Sequence, residues 1–149
     1  MLLKVVSHGH PDAELLIEAG RLDMLARYAY EDRTPVHGED FSPPHGRFVV
    51  AYLDGTAVGC GGWRVNGRKA EIKRMYVAPA ARRRGIAKAV LANLEEAART
   101  AGRTEIILET GVRQPEALAL YRSSGYLEIP AFGYHTEDAE SVYLGKLLR

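Results

Sequence analysis

Apolar residues follow two periods along this chain, and the switches between them mark out its elements. Leu2 to Ser7 (LLKVVS) is a short β-branched run and reads as a strand. Pro11 and Asp12 open a stretch where Leu15, Leu16, Ala19, Leu22, Leu25 and Ala26 recur at three- and four-residue spacing, predicting an amphipathic helix that Gly20 weakens near its middle. Glu31 to Gly46 holds three prolines, two glycines and no periodicity. It predicts a loop long for a compact domain, of the kind that is either functional or disordered.

Arg47 to Leu53, Thr56 to Val65 and Ala70 to Val77 read as strands. Asp54-Gly55 and Asn66-Gly67 between them are hairpin dipeptides, so the three form an antiparallel meander. Gly59, Gly61 and Gly62 inside the middle strand predict a bulge or a close approach to its backbone. From Gly85 to Ala101, Ile86, Ala87, Val90, Leu91, Leu94, Ala97 and Ala98 make a wide helical stripe, stopped by Gly102. Thr104 to Glu109 is a strand. A helix separates it from the strand Glu71–Val77, so the two lie parallel through a right-handed crossover. Pro115 opens a last helix through Ala117, Leu118, Leu120 and Tyr121, ended by Gly125. Tyr126 to Ile129 and Ser141 to Leu147 read as a closing hairpin. The order predicts an α/β (α+β) fold: a mixed, mainly antiparallel central sheet of six to seven strands flanked by helices.

Composition narrows the class. With 149 residues, 46% hydrophobic and 26% charged, the chain suits one soluble domain over residues 1–149. Its 20 basic and 19 acidic residues leave a net charge of +1, so no global field attracts nucleic acid and any basic site is local. Cys60 is the single cysteine, which excludes an internal disulfide and a cysteine metal cluster. It reads as a small buried apolar residue, and Trp63 as a half-exposed packing residue. No apolar run approaches the roughly 18 residues of a membrane span. No basic region followed by an apolar one opens the chain, so a cytoplasmic location is expected. His8, His10, His37, His45 and His135 lack metal-ligand spacing, and no metal is expected.

One stretch concentrates candidate chemistry. From Glu71 to Ala87 a strand feeds a basic turn, Arg82-Arg83-Arg84-Gly85, into a helix N-terminus. Backbone N–H groups and the positive end of the helix dipole then converge where an anion can sit. Gly85 and Ala87 are small where a phosphate would approach, and arginine forks suit phosphate oxygens. The segment is neither a Walker A loop nor a dinucleotide fingerprint, since it has one glycine and no G-K-[ST]. The same turn also reads as a solvated basic surface or a nucleic-acid contact. Near-neutral charge and the lack of a second basic strip or aromatic platform oppose the last.

Met75-Tyr76-Val77-x-Pro79 followed by Arg82-x-x-Gly85-x-Ala87 resembles the acyl-CoA-binding segment of the GNAT superfamily of N-acetyltransferases. Glu116-Ala117-x-x-Leu120-Tyr121-x-x-x-Gly125-Tyr126 resembles the helix that follows it there. The resemblance covers Glu71 to Leu127, and the N-terminal half agrees only in element order. It implies a GNAT-like acyl-CoA N-acyltransferase fold. It also implies acetyl transfer from acetyl-CoA to a primary amine of a small molecule, peptide or protein, by direct attack in a ternary complex. By position, it implies that Met75, Tyr76 and Val77 meet the pantetheine arm. Arg82, Arg83, Arg84, Gly85, Ile86, Ala87 and Lys88 would form the cofactor turn, with N–H groups from Arg83 to Lys88 on the pyrophosphate. Tyr121 would donate a proton to the departing thiolate. Ala117 and Gln114 fall at cofactor-contacting positions. The family often has Asn where Gln114 stands, which leaves the role of Gln114 open.

The chemistry of the transfer adds a requirement. A lysine-like amine of pKa about 10.4 is neutral about once in 2,500 at pH 7, a cost of roughly 4 to 5 kcal/mol. A base recovers part of that. Glu71 is the candidate, acting directly or through a water. The alternative is a strand-edge glutamate facing solvent or paired with Arg64 or Lys73. For Tyr121 the alternative is a core tyrosine. The acceptor would meet the first helix, the loop carrying Glu31, Asp32, Glu39 and Asp40, and the segment from Phe132 to Tyr143. A non-catalytic acyl-CoA-binding sensor or scaffold is the competing function. It would bind acetyl-CoA without turnover. Neither nucleic acid nor membrane is an expected partner, and the expected state is a monomer or homodimer.

Overall fold

A computed structural model describes residues 1–29, 36–133 and 138–149. In chain order the elements are β1 (Leu2–Val6), α1 (Pro11–Tyr28), β2 (Gly46–Leu53), β3 (Thr56–Asn66), β4 (Lys69–Val77), α2 (Ile86–Thr100), β5 (Glu105–Gly111), α3 (Pro115–Ser123), β6 (Leu127–Glu128) and β7 (Ser141–Leu147). The strands form a seven-stranded sheet in the order β1-β2-β3-β4-β5-β7-β6. Only β4 and β5 run parallel; every other pair is antiparallel. The mixed sheet, the meander and the parallel crossover follow the pattern in the sequence. The insertion of β7 between β5 and β6 does not, because nothing in a hairpin pattern says which strand lies inside.

The helices cover both faces. α2 and α3 pack Ile86, Val90, Leu91, Leu94 and Tyr121 against Val49, Ala51, Ile72, Ile106 and Leu108. On the other face α1 lays Ala13 and Leu16 over Phe48, Val50 and Cys60, with Phe41 plugging the end of the layer. Phe41 sits in a 3-10 turn, Gly38–Phe41, inside the stretch expected to be loop. It stacks on His8 at 5.1 Å and meets Phe48 edge-on. Glu31 and Asp32 of that stretch, and His135, lie outside the described residues.

Two expectations about packing need correction. α1 does not bury the stripe through Leu15 and Leu22, which are 66% and 52% exposed. α1 carries a second run of apolar and small residues, Ala13, Leu16, Ile17, Gly20 and Met24, at the same helical spacing. That run faces the protein because Gly20 lets the helix backbone close on the Tyr76 ring, 3.4 Å from where a Cβ would sit. Trp63 is 1% exposed, not half-exposed, because β3 is a central strand covered on both faces.

The β3 glycines fulfil both halves of their expectation. A Cβ on Gly59 would meet Ile86 at 2.8 Å, one on Gly61 the Met75 sulfur at 2.3 Å, and one on Gly62 the rings of Phe41 and Phe48 at 2.7 and 2.8 Å. The β3–β4 register slips opposite Gly61, and Arg74 there holds φ 64. An inserted residue in left-handed conformation bends its strand and adds twist. β4 accordingly pairs with β5 in two rows only, Ala70 with Ile106 and Glu71 with Ile107. Past Glu71 the two strands part. β5 keeps its other edge on β7 from Glu105 to Gly111, and β4 keeps its other edge on β3.

α2 ends as its sequence predicts. Gly102 takes φ 81, and the Arg103 N–H reaches back to the Ala98 carbonyl at 3.0 Å, a Schellman closure. Beneath α2, Tyr126 Oη donates to Glu95 Oε2 at 2.7 Å and Lys146 Nζ lies 3.2 Å from both Glu95 oxygens, so these three side chains match one another. The Gly62 contact gives a stability test. Gly62→Ala should lower the free energy of unfolding in urea by about 1 to 3 kcal/mol, because both phenylalanines it would strike are buried and confined. A variant as stable as the parent would contradict this packing.

Candidate active site

The parting of β4 from β5 opens a cleft of about 290 Å³ that runs from the α3 side of the sheet to the α1 side. Ile72, Lys73, Met75 and Tyr76 line one lip, and Leu108, Glu109, Thr110 and Gly111 the other. α1 roofs it with Gly20, Met24 and Tyr28, while Gln114, Tyr121 and the segment around Glu140 and Ser141 complete the wall. Along Ile72–Val77 the β4 edge facing β5 has no strand partner among the described residues. Backbone donors and acceptors left in this way can pair with any extended group that enters.

At the far end of that edge the chain turns through Pro79–Ala81 into α2. Arg82 folds back, its Nε donating to the Val77 carbonyl at 3.0 Å and its guanidinium 6.0 Å over the Tyr76 ring. Of the three arginines it is thus the one engaged by the protein, and Arg83 and Arg84 are exposed. Arg83 and Gly85 both take positive φ, 65 and 76, a turn conformation in which successive backbone N–H groups can form an anion-binding concavity. No side chain caps α2, so the N–H groups of its first turn stay open.

Tyr121 reaches the cleft from α3. It is 5% exposed and stands against Tyr126 with ring centroids 5.6 Å apart. Its hydroxyl has no hydrogen-bond partner among the described residues. Burial alone pushes its pKa well above the ordinary phenol value. Glu71 occupies different ground. It is 5% exposed and sits in the last row where β4 and β5 still pair. Its Oε1 accepts from Arg64 Nε at 3.3 Å and Asn66 Nδ2 at 3.4 Å, and Arg64 also lies 3.7 Å from Asp40. It lines a second depression with Glu39, Asp40 and His45. Lys73, two residues along the strand and 9% exposed, lies on the cleft itself. The structure therefore gathers Met75, Tyr76, Gln114 and Tyr121 around one space. Val77, the turn from Arg82 to Lys88 and Ala117 lie beyond its lining, and Glu71 lies beside it.

The comparisons with known proteins bear on this arrangement. The chain matches the acetyltransferase (GNAT) family over residues 15–126. The chain belongs to the GNAT acetyltransferase family. It is 39% identical over 112 residues to an IAA acetyltransferase of Azospirillum brasilense, across 74% of this chain and 73% of that one. A solved Klebsiella pneumoniae structure described as an acyl-CoA N-acyltransferase superposes with TM-score 0.81 at 29% identity, covering 99% and 97% of the two chains. A phosphinothricin acetyltransferase from Sinorhizobium meliloti, solved in complex with AcCoA, shares the fold with TM-score 0.74 at 22% identity, covering 99% and 89%. As a GNAT member the protein is an acetyl-CoA-dependent N-acetyltransferase.

Several residues at this acetyltransferase's cleft had no signal in the sequence. Tyr28 sits at the end of α1, 86 residues from its partner Gln114, with no motif around it. Lys73 and Glu109 lie in strands whose pattern marks them only as strand. Among the described residues no three His, Cys, Asp or Glu side chains group as a metal site. No described helix is long and apolar enough to cross a membrane.

Cys60 is fully buried, and its Sγ donates to the Arg74 carbonyl at 3.2 Å. Burial pushes the thiol up to about 12. The fold thus favours the protonated thiol, and the stability this contributes is present below the free-cysteine pKa of about 8.5. It is lost as pH climbs from there toward about 12. At pH 8 iodoacetamide should label native Cys60 only as fast as the chain opens, and urea should release the single thiol to rapid labelling. A native rate equal to that of free cysteine would contradict the burial.

Proposed function

We propose that the cleft between β4 and β5 receives the acetyl-pantetheine arm of acetyl-CoA, and that a primary amine attacks the thioester there directly. The observation that carries this reading is the unpaired β4 edge, continuous with the open N-terminus of α2. The pantetheine arm is an extended chain with two amides, and an unpaired strand edge is the surface such a chain joins. In this reading Met75 and Val77 pair with the arm through their backbones, and the Tyr76 segment holds their spacing. The N–H groups from Arg83 through Gly85, Ile86 and Ala87 to Lys88 receive the pyrophosphate. Arg82 keeps the turn folded, and Ala117 and Gln114 face the arm from α3.

Tyr121 then stands over the sulfur. A buried phenol stays protonated throughout the working pH range, so it is always available as a donor. A thiolate of pKa about 8.5 cannot take the proton fully from a phenol of pKa 10 or more. Tyr121 therefore stabilises the developing negative charge by a hydrogen bond, and water supplies the final proton. Glu71 is the base. Its carboxylate lies in the neighbouring depression and not on the cleft lining, so we assign its action to an intervening water. Transfer forms the C–N bond and breaks the C–S bond. The amine loses one proton and the thiolate gains one. The acceptor amine, of a small molecule, peptide or protein, approaches from the α1 side, between Met24, Asp138 and Glu140.

Thiol release from acetyl-CoA across a panel of amines tests the reading. Tyr121→Phe should lower kcat by roughly 10²-fold while the acetyl-CoA dissociation constant stays within twofold, and Glu71→Gln should lower kcat by a similar order. Full activity of both variants would remove these roles, and a parent protein with no affinity for acetyl-CoA in calorimetry would sink the site itself.

A further inference from the structure

The α1 roof of the cleft is tied at one end to the turn that follows β5, and the tie has a chemical consequence. Arg27 Nη1 donates to the Arg113 carbonyl at 2.9 Å, and Arg113 Nη1 donates to the Arg27 carbonyl at 3.2 Å. At the centre of this knot is the Tyr28 hydroxyl. It accepts the Arg113 backbone N–H at 3.2 Å and lies 3.1 Å from Gln114 Oε1. An oxygen that already accepts from a backbone amide has its own O–H left to give, and the Gln114 carbonyl oxygen takes it. Thr110 Oγ, at 3.4 Å, adds a second donor to the same oxygen.

The Gln114 amide is turned with its oxygen toward both hydroxyls. Its oxygen is committed to Tyr28 and Thr110. Its Nε2, with two N–H donors and no partner among the described residues, is the end left for the cleft that Gln114 lines. The fold makes specific room for this contact. A Cβ on Gly111 would lie 2.0 Å from Tyr28 Oη, so the hydroxyl occupies the space that any other residue at 111 would fill. The turn holding Gln114 follows β5, whereas Tyr28 belongs to the helix roofing β4. The orienting bond therefore crosses the mouth of the cleft.

We infer that Tyr28 is a positioning residue for the acyl donor: through its hydrogen bond to Gln114 Oε1 it holds the Gln114 amide with Nε2 facing the cleft, where it donates to an amide carbonyl of the pantetheine arm. This rests on the reading that the arm occupies the cleft. Without the Tyr28 hydroxyl only the longer Thr110 contact at 3.4 Å holds the amide, and the arm meets either an oxygen or a less ordered donor. Loss of one such neutral hydrogen bond weakens binding by about three- to tenfold.

The test is a double-mutant cycle read by calorimetric acetyl-CoA affinity on the full chain. Tyr28→Phe and Gln114→Ala should each raise the acetyl-CoA dissociation constant by about three- to tenfold. The KM for acetyl-CoA should rise in parallel, with kcat changing less than twofold. The double variant should bind no more weakly than Gln114→Ala alone, because Tyr28 acts only through that amide. Gly111→Ala, which expels the Tyr28 hydroxyl without touching either partner, should reproduce the loss and serves where Tyr28→Phe folds poorly. An unchanged affinity in Tyr28→Phe, or losses that simply multiply in the double variant, would overturn the inference and reduce Tyr28 to an anchor of α1. A parent protein that does not bind acetyl-CoA would instead overturn the proposed function, and this inference with it.

Discussion

Two rows of pairing between β4 and β5 set the terms for everything else in this protein. Parallel strands in a covered sheet normally stay together along their length, because separating them strands backbone donors and acceptors. Here they stop after Glu71 and Ile107. The cause is local. Arg74 enters the left-handed region opposite Gly61, and the register slips there. A side chain larger than hydrogen at position 61 would collide with Met75, and one at position 59 with Ile86 of α2. The glycines of β3 are thus what allows the bulged strand and the start of α2 to lie so close. The bulge in turn directs β4 away from β5. The cost of unpaired edges is carried by the remaining pairings, β3 on one side and β7 on the other.

The same separation distributes the chemistry. The open edge leads through the Pro79–Ala81 turn to the uncapped start of α2, with Arg82 donating to the Val77 carbonyl on the way. The buried phenol of Tyr121 enters from one face of the sheet, and α1 with the segment around Glu140 approaches from the other. Glu71 remains in the last paired row, held by Arg64 and Asn66. A carboxylate there is fixed by the intact part of the sheet and lines the second depression, beside Glu39, Asp40 and His45. The acid and base candidates therefore line two separate depressions.

Local patterns carried most of this into view. The hairpin dipeptides, the α2 stripe, the glycine stop at Gly102 and the arginine turn are short-range signals, and each became the element it predicted. The glycine trio in β3 also announced a bulge, which falls on β4 opposite Gly61. What the pattern missed depends on contacts distant in the chain. Which face of α1 is buried was decided by the Tyr76 ring beneath Gly20, since both of its stripes are apolar. The depth of Trp63 followed from β3 being central. The position of Glu71 relative to the cleft depended on where β4 and β5 part, immediately after it. Tyr28 carried no signal at all, because its importance arises from a partner 86 residues away and from the empty space at Gly111.

The account stands on the free β4 edge being the seat of the pantetheine arm. Amide hydrogen exchange, followed residue by residue with and without acetyl-CoA, measures this directly. The account predicts that acetyl-CoA slows exchange at amides within Ile72–Val77 and Arg83–Lys88, while the amides of β2 and β1 keep their rates. Tight binding of acetyl-CoA with no added protection along Ile72–Val77 would contradict it.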